Sequence, residues 1–299
     1  MTVLDRCVIR PSLRRPVVHW TVAVENADST TTPLHVIGKG YLGGGGPEAY
    51  RLLMELRSGG LDGARLQVPQ PFGYDPVRRV LAQGQASTTT LHDLIEDPAE
   101  ARPALARVGW WLARLHEAPL PMLPSLAATF EQDTLTSYAD QLAFEIPAIA
   151  APVHELVEQT LSALAATSPP SVVTHGDFQP KNVHLDGVRV VVIDFDRAAL
   201  APAARDLGHF VAQTLTMGAS RHGAIEALRP WTDTFLQAYV AAGGDEAAVA
   251  VTPVYVGRTF AEVLFYRLVV RPVPDRSFVP AWLEAWAQTL HAVAAVAGQ

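Results

Sequence analysis

Ser171 to Phe210 reads S-V-V-T-H-G-D-F-Q-P-K-N-V-H-L-D-G-V-R-V-V-V-I-D-F-D-R-A-A-L-A-P-A-A-R-D-L-G-H-F. Ser171–Thr174 is a β-branched run that breaks into a polar loop at His175. Val183–Leu185 and Val188–Ile193 are apolar runs separated by Asp186-Gly187, a pair whose tolerance of positive φ suits a tight hairpin turn. Such a hairpin brings Asn182, before its first strand, and Asp194, after its second, to the same end. Asp177 lies five residues ahead of Asn182. The oxygen-bearing side chains of Asp177, Asn182 and Asp194 are therefore expected in one small region. Oxygen ligands with few protein donors suit Mg²⁺, which keeps several waters and completes its shell from phosphates.

The arrangement H-x-D-x-x-x-x-N, a strand, then D-F-x is the phosphoryl-transfer signature of the kinase fold. Taken singly, each residue is a common turn or capping residue; their order within one segment carries the signal. The chain resembles the aminoglycoside phosphotransferase and choline kinase family of small-molecule kinases. H-G-D-F-Q-P-K-N, with Gly176 where protein kinases have arginine, looks like that branch, as does D-F-D at Asp194–Asp196. The resemblance implies an α+β, bilobal, protein-kinase-like fold, with a small antiparallel-sheet N-lobe and a larger, mainly helical C-lobe. It implies Asp177 as the residue that positions and deprotonates the acceptor hydroxyl, and Asn182 and Asp194 as Mg²⁺ ligands. His175 would be a structural strut, and Asp206 looks like the family's buried aspartate that holds the catalytic-loop backbone.

Composition sets the outer bounds. The chain has 299 residues, 49% hydrophobic and 18% charged, enough for a sizeable core and two lobes. The single cysteine, Cys7, excludes intramolecular disulfides, and a reducing cytoplasm is the expected compartment. The first ten residues place charges where a signal peptide needs an apolar core, and no stretch approaches eighteen uninterrupted apolar residues, so no membrane span is expected. A net charge of −7 argues against nucleic acid as the main partner. Only Lys39 and Lys181 are lysines; the remaining basic residues are arginines. Lysine kept against that bias suggests places where a compact point charge is wanted.

Outward from the motif, His19–Val24 and Leu34–Tyr41 read as strands, with Lys39 near the end of the second. Pro47 opens a helix whose Leu52, Leu53 and Leu56 follow helical spacing. In a kinase fold the strand lysine pairs with a glutamate on this helix and steadies the phosphates. Glu48 and Glu55 are the candidates, and Glu48, heading the E-A-x-x-L-L pattern, is the expected partner of Lys39. No G-x-G-x-x-G lies between the first strands. Pro11–Pro16, with Ser12, Arg14 and Arg15, offers donors to phosphate, whereas Gly43–Gly46 lacks the G-K-[ST] of a P-loop and reads as a connector. Val68–Gly73 and Arg79–Gln83 read as strands joined at Asp75-Pro76. The second leads into Gln83-Gly84-Gln85, the expected hinge whose backbone holds the adenine. The nucleotide-binding N-lobe is thus expected over 1–86 and the catalytic, acceptor-binding C-lobe over 87–299. Helices are expected at Pro103–Glu117, where His116 is a packing residue, at Phe130–Phe144 and His154–Thr167, and through most of the chain beyond Phe210, where Trp282 and Trp286 read as core.

The function expected is transfer of the γ-phosphate of ATP or GTP, with Mg²⁺, to a hydroxyl of a small molecule. The cofactor-binding residues expected are Lys39, Glu48, Gln83, Gln85 and Lys181, with Asp177 catalytic. Between Arg114 and Lys181 there is no lysine or arginine, while Glu117, Glu131, Asp133, Asp140, Glu145, Glu155, Glu158 and Asp177 crowd the same stretch. Acidic clefts concentrate cations, so an amine-bearing acceptor such as an aminoglycoside or amino alcohol is expected. The alternatives are a kinase of a neutral sugar, nucleoside or macrolide, and a kinase-shaped nucleotide-binding regulator without turnover.

Overall fold

The structure is a computed structural model that describes residues 2–297 apart from Ser29, Ile95, Glu96, residues 120–122, Ala128 and Ser168. The strands are β1 (Thr2–Arg10), β2 (Val17–Glu25), β3 (Thr31–Gly40), β4 (Leu66–Gln67), β5 (Pro71–Asp75), β6 (Val80–Gly84), β7 (Ser171–Thr174), β8 (Val183–Asp186), β9 (Arg189–Val192) and β10 (Ala199–Pro202). The helices are α1 (Gly46–Ser58), α2 (Leu91–Leu94), α3 (Pro98–His116), α4 (Phe130–Glu145), α5 (Ala150–Ala165), α6 (Ala204–His222), α7 (Arg229–Ala241), α8 (Glu246–Phe265) and α9 (Val279–Ala297). Two compact units result, Met1–Thr90 with Val183–Asp196, and Leu91–Asn182 with Arg197–Gln299.

The first unit is built on an antiparallel sheet of order β1-β2-β3-β6-β5. β3 is central, so Lys39 pairs across to Val17 on one side and Leu81 on the other. The proline that begins β5 is tolerated because that strand is an edge and Pro71 is its first residue. β1 forms the other edge and is exposed along its whole length; the basic, Pro-punctuated start of the chain gave no strand signal. α1 starts with Pro47 in its first turn and buries Leu52, Leu53 and Leu56, as their spacing requires. The β8–β9 hairpin joins this unit because β9 pairs in parallel with β4. For that reason the unit does not end at residue 86 and does not leave 183–196 to the second. The turn itself is Gly187-Val188, with Gly187 at φ +55 in the first central position, and Asp186 stays paired with Arg189.

The second unit is mainly helical around the short β7–β10 pair. Trp282 and Trp286 are 1% and 0% exposed in a core drawn from α4, α5, α6, α8 and α9, and Trp286 Nε1 donates to Thr160 Oγ1 at 2.9 Å. α6 and α8 approach closely at Gly208, where a Cβ would come within 2.4 Å of the Tyr255 Cβ. A second cluster stacks Phe178 against Trp111 (centroids 5.8 Å apart) and Phe210 (5.5 Å), with Phe235 beyond at 4.1 Å from Phe210. Residues Glu246–Val270 are long and apolar enough to cross a membrane, but 67% of the apolar 18-residue window within them is buried inside the protein. Its last turn, Tyr266–Val270, is a π-helix.

Candidate active site

The loop after β7 is shaped by one glycine and one buried carboxylate. Gly176 has φ +79, and a Cβ there would lie 2.1 Å from the Arg197 carbonyl oxygen, so no other residue fits. Asp206, in the first turn of α6 and 0% exposed, accepts from the backbone N–H of His175 at 2.6 Å and of Gly176 at 2.8 Å. His116 Nε2 lies 3.3 Å from the same carboxylate, and its Nδ1 lies 2.9 Å from the Tyr239 hydroxyl. Protonation on Nε2 lets the imidazole donate to Asp206 and accept from Tyr239. Burial pushes the Asp206 carboxyl up, and the bonds from His116 and the His175 backbone more than offset it, leaving it below the usual range. Burial also raises the Tyr239 hydroxyl, to about 12. His116 thus packs at the end of α3, as expected, and steadies Asp206 as well.

Asp177 follows directly and is anchored from behind by fully buried Phe178. Its Oδ1 accepts from Gln179 Nε2 at 2.9 Å and faces His209 Nε2 at 3.1 Å. Burial raises the Asp177 carboxyl, while His209, Arg197 and His175 lower it further, so the group lies below its ordinary range and is ionised at neutral pH. His209 leads into a buried ion network. Its Nδ1 is 3.9 Å from Glu262, which accepts from Arg197 (2.6 Å) and from Arg258; Arg258 also reaches Glu131 (2.8 Å), and Glu131 reaches Arg205 (3.1 Å). Burial alone would raise Glu262, but Arg258, His209 and Arg197 hold it far below the usual carboxylate range.

Asn182 closes the loop from within the same unit. Its Nδ2 donates to the Asp177 carbonyl at 2.9 Å and lies 3.3 Å from Asp177 Oδ2, which leaves Oδ1 as the atom able to ligate a cation. Lys181 lies beside it in a 3₁₀ turn, Pro180–Asn182. Asp177, Lys181, Arg197 and Glu262 line a cavity of about 680 Å³, with Arg221, Arg267 and Arg271 on its other walls.

In the first unit Lys39 is 7% exposed and forms ion pairs with Asp194 and, at 2.8 Å, with Asp196. The Tyr41 hydroxyl donates to Asp196 at 2.8 Å, and Arg15 lies 3.4 Å from it. Burial raises Asp196, and Lys39, Tyr41 and Arg15 together bring it below the ordinary range. Asp194 itself takes φ +71, a left-handed backbone that aspartate tolerates better than most residues. The expected Lys39–Glu48 pair is not formed. Glu48 is exposed at the start of α1 and is bonded to Arg51 at 3.3 Å, so the two carboxylates of D-F-D take the lysine instead. At the expected hinge, the backbone N–H groups of Gly84 and Gln85 are already donated to the carbonyls of Gln70 (2.8 Å) and His35 (3.1 Å), so neither of these two is free for an adenine; Gln83 lies in β6.

The acidic run between Arg114 and Lys181 does not build an acidic cleft. Asp133, Glu145, Glu155 and Glu158 are on exposed helix faces, Glu117 pairs with Arg114, Asp140 with His154, and Glu131 with two arginines. Only Asp177 of that run reaches the cavity. Among the residues that sequence reasoning passed over, His209 and the Arg258–Glu262 pair matter most. Their signal was local: Asp206 and His209 are three apart on one helix, and Arg258 and Glu262 four apart on another, spacings that share a face.

A model of the phosphotransferase enzyme family (APH) matches residues 46–251, more than half of the chain. A search of curated proteins found no match. Among solved structures, a choline/ethanolamine kinase family protein from Mesorhizobium loti aligns with a TM-score of 0.62 at 17% identity, over 91% of this chain and 92% of its own. Spectinomycin phosphotransferase in complex with ADP and spectinomycin aligns with a TM-score of 0.64 at 13% identity, over 97% and 92%. An ethanolamine kinase from Plasmodium vivax aligns with a TM-score of 0.59 at 11% identity, over 97% and 81%. With an antiparallel sheet in the first unit, helices in the second and this family match, the fold is kinase-like, and the chain belongs to the phosphotransferase enzyme family.

Proposed function

We propose that this phosphotransferase is a small-molecule kinase that moves the γ-phosphoryl group of ATP or GTP to a hydroxyl. The observation that carries the reading is Asp177: a half-buried carboxylate kept ionised, oriented by Gln179 and His209, and facing a cavity of small-molecule size. The acceptor O–H gives its proton to Asp177, the oxygen attacks the γ-phosphorus, and the bond to the β-phosphate oxygen breaks to release the nucleoside diphosphate. Clamping by Asp206 holds the loop so that little reorganisation is needed at that moment. Lys39 supplies the phosphate-directed charge of the first unit, and release from Asp194 and Asp196 frees it for that role.

Mg²⁺ fits the chemistry of the residues the motif names: Asn182 Oδ1 in the second unit and the Asp194 carboxylate in the first are each hard oxygen donors that would hold it, and it would neutralise phosphate charge. The relatives described as bound to ADP support nucleotide use here. The amine-bearing acceptor expected from the acidic run is not carried into this reading, since those carboxylates are paired or face away from the cavity.

Asp177→Asn is expected to keep the fold and nucleotide binding while lowering kcat by about 10²–10⁴-fold, the worth of a general base. The check is phosphoryl transfer to a hydroxyl acceptor beside nucleotide binding by calorimetry. Nucleotide bound by wild type with no transfer to any acceptor would leave a nucleotide-binding regulator instead.

A further inference from the structure

The cavity holding Asp177 is lined by an unbalanced set of charges. Its two carboxylates already have partners: Asp177 lies 3.1 Å from His209 Nε2, and Glu262 pairs with Arg197 and Arg258. Lys181, Arg267 and Arg271 line the same cavity, and among the described residues none of the three forms an ion pair with a carboxylate. The two arginines pack against neutral groups. Arg267 lies over the rings of Phe278 and Trp282, at 5.0 and 5.5 Å, and reaches Ser220 Oγ at 3.3 Å; Arg271 lies 5.9 Å from the Tyr266 ring centroid. Arg267 and Arg271 are four residues apart, on and just after the π-helical turn that ends α8, and such turns recur at functional sites. The positive field is felt by His92 on the same wall: burial, then the charges of Arg221 and Lys181, hold its imidazole below the ordinary range. Guanidinium forks held by stacking are pre-organised for planar or tetrahedral oxyanions.

We propose that the acceptor is a hydroxyl compound bearing a carboxylate or a phosphate monoester, and that Arg267 and Arg271, with Lys181, hold that anionic group beside Asp177. The inference rests on the kinase reading for the reaction, though not for the charge of the ligand.

The test is calorimetric binding of matched sugars, glucuronate, a glucose monophosphate, glucose and glucosamine, alongside phosphoryl transfer to each from Mg²⁺-ATP. At least one anion is expected to bind roughly tenfold or more tightly than glucose and glucosamine, with a gap that narrows as salt rises. Which anion binds better separates carboxylate from phosphate recognition. Arg271→Gln and Arg267→Gln should each raise the KM for that anion about tenfold and leave the KM for ATP within about twofold, with Arg267→Lys raising the anion KM less than Arg267→Gln does. Arg271 is exposed, so its variant keeps the comparison valid if the Arg267 variant fails to fold. Glucose or glucosamine held as tightly as the anions, no binding of either anion, or variants that weaken ATP use rather than the acceptor would overturn the proposal. An anion that binds without being phosphorylated would sink the kinase reading and leave this one standing. Glucosamine bound and phosphorylated best would do the reverse.

Discussion

Gly176 shows how much a single residue decides. Its positive φ would cost another residue about 1–3 kcal/mol on backbone grounds alone. The 2.1 Å approach to the Arg197 carbonyl adds a clash that only movement of the loop can relieve. Gly176→Ala should therefore lower the urea unfolding midpoint and, by displacing the next residue, reduce kcat more than it reduces stability; an alanine variant with native midpoint and turnover would refute this. The glycine was legible in the sequence because the motif named it, whereas its reason was not: Arg197 is 21 residues away and only the fold brings its carbonyl there. The same limit hid His209. A histidine on a long apolar helix reads as core until the loop it faces is in place.

At the scale of elements, periodicity did well and strand edges did poorly. α4 and α5 start and stop within a few residues of where their apolar spacing puts them, and α1 starts where Pro47 puts it, because a buried stripe is a local property. β7, β8 and β9 were equally legible from short β-branched runs. β1 was not: it is exposed on both faces, so no burial pattern marks it, and only its pairing with β2 makes it a strand. The Lys39 pairing failed for a related reason. Two carboxylates on the D-F-D turn, distant in sequence, compete with a glutamate nearby on α1, and proximity along the chain says nothing about which wins.

Over the whole molecule, stability should respond to acid more than composition suggests. Asp177, Asp196, Asp206 and Glu262 all have folded-state pKa values below those of an unfolded chain. The stability they contribute is therefore complete above about pH 4–5, where unfolded carboxylates ionise, and is lost as pH falls through the folded values. Urea midpoints measured across pH should be flat from neutral to about 5 and fall steeply below about 4. A midpoint that rose on acidification would mean that these carboxylates are not paired as described. The distribution of charge over the molecule is what sequence counting misjudged. A run of acids without a base looked like a cleft, yet most of it faces solvent or is neutralised by arginines from elsewhere in the chain.

The clamp of Asp206 on the His175 and Gly176 amides has a consequence for deuterium exchange. Loop amides ordinarily open often and exchange fast, but these two are bonded to a carboxylate with no exposure to solvent, on a helix locked against α8 at Gly208. Their hydrogens should survive in heavy water about as long as those of the buried helices, opening only when the second unit opens. Exchange within the time of neighbouring surface loops would show that the clamp is loose. If they persist, the segment beside the reacting group is as permanent a part of the protein as its core, and any motion needed for turnover must be found elsewhere in the chain.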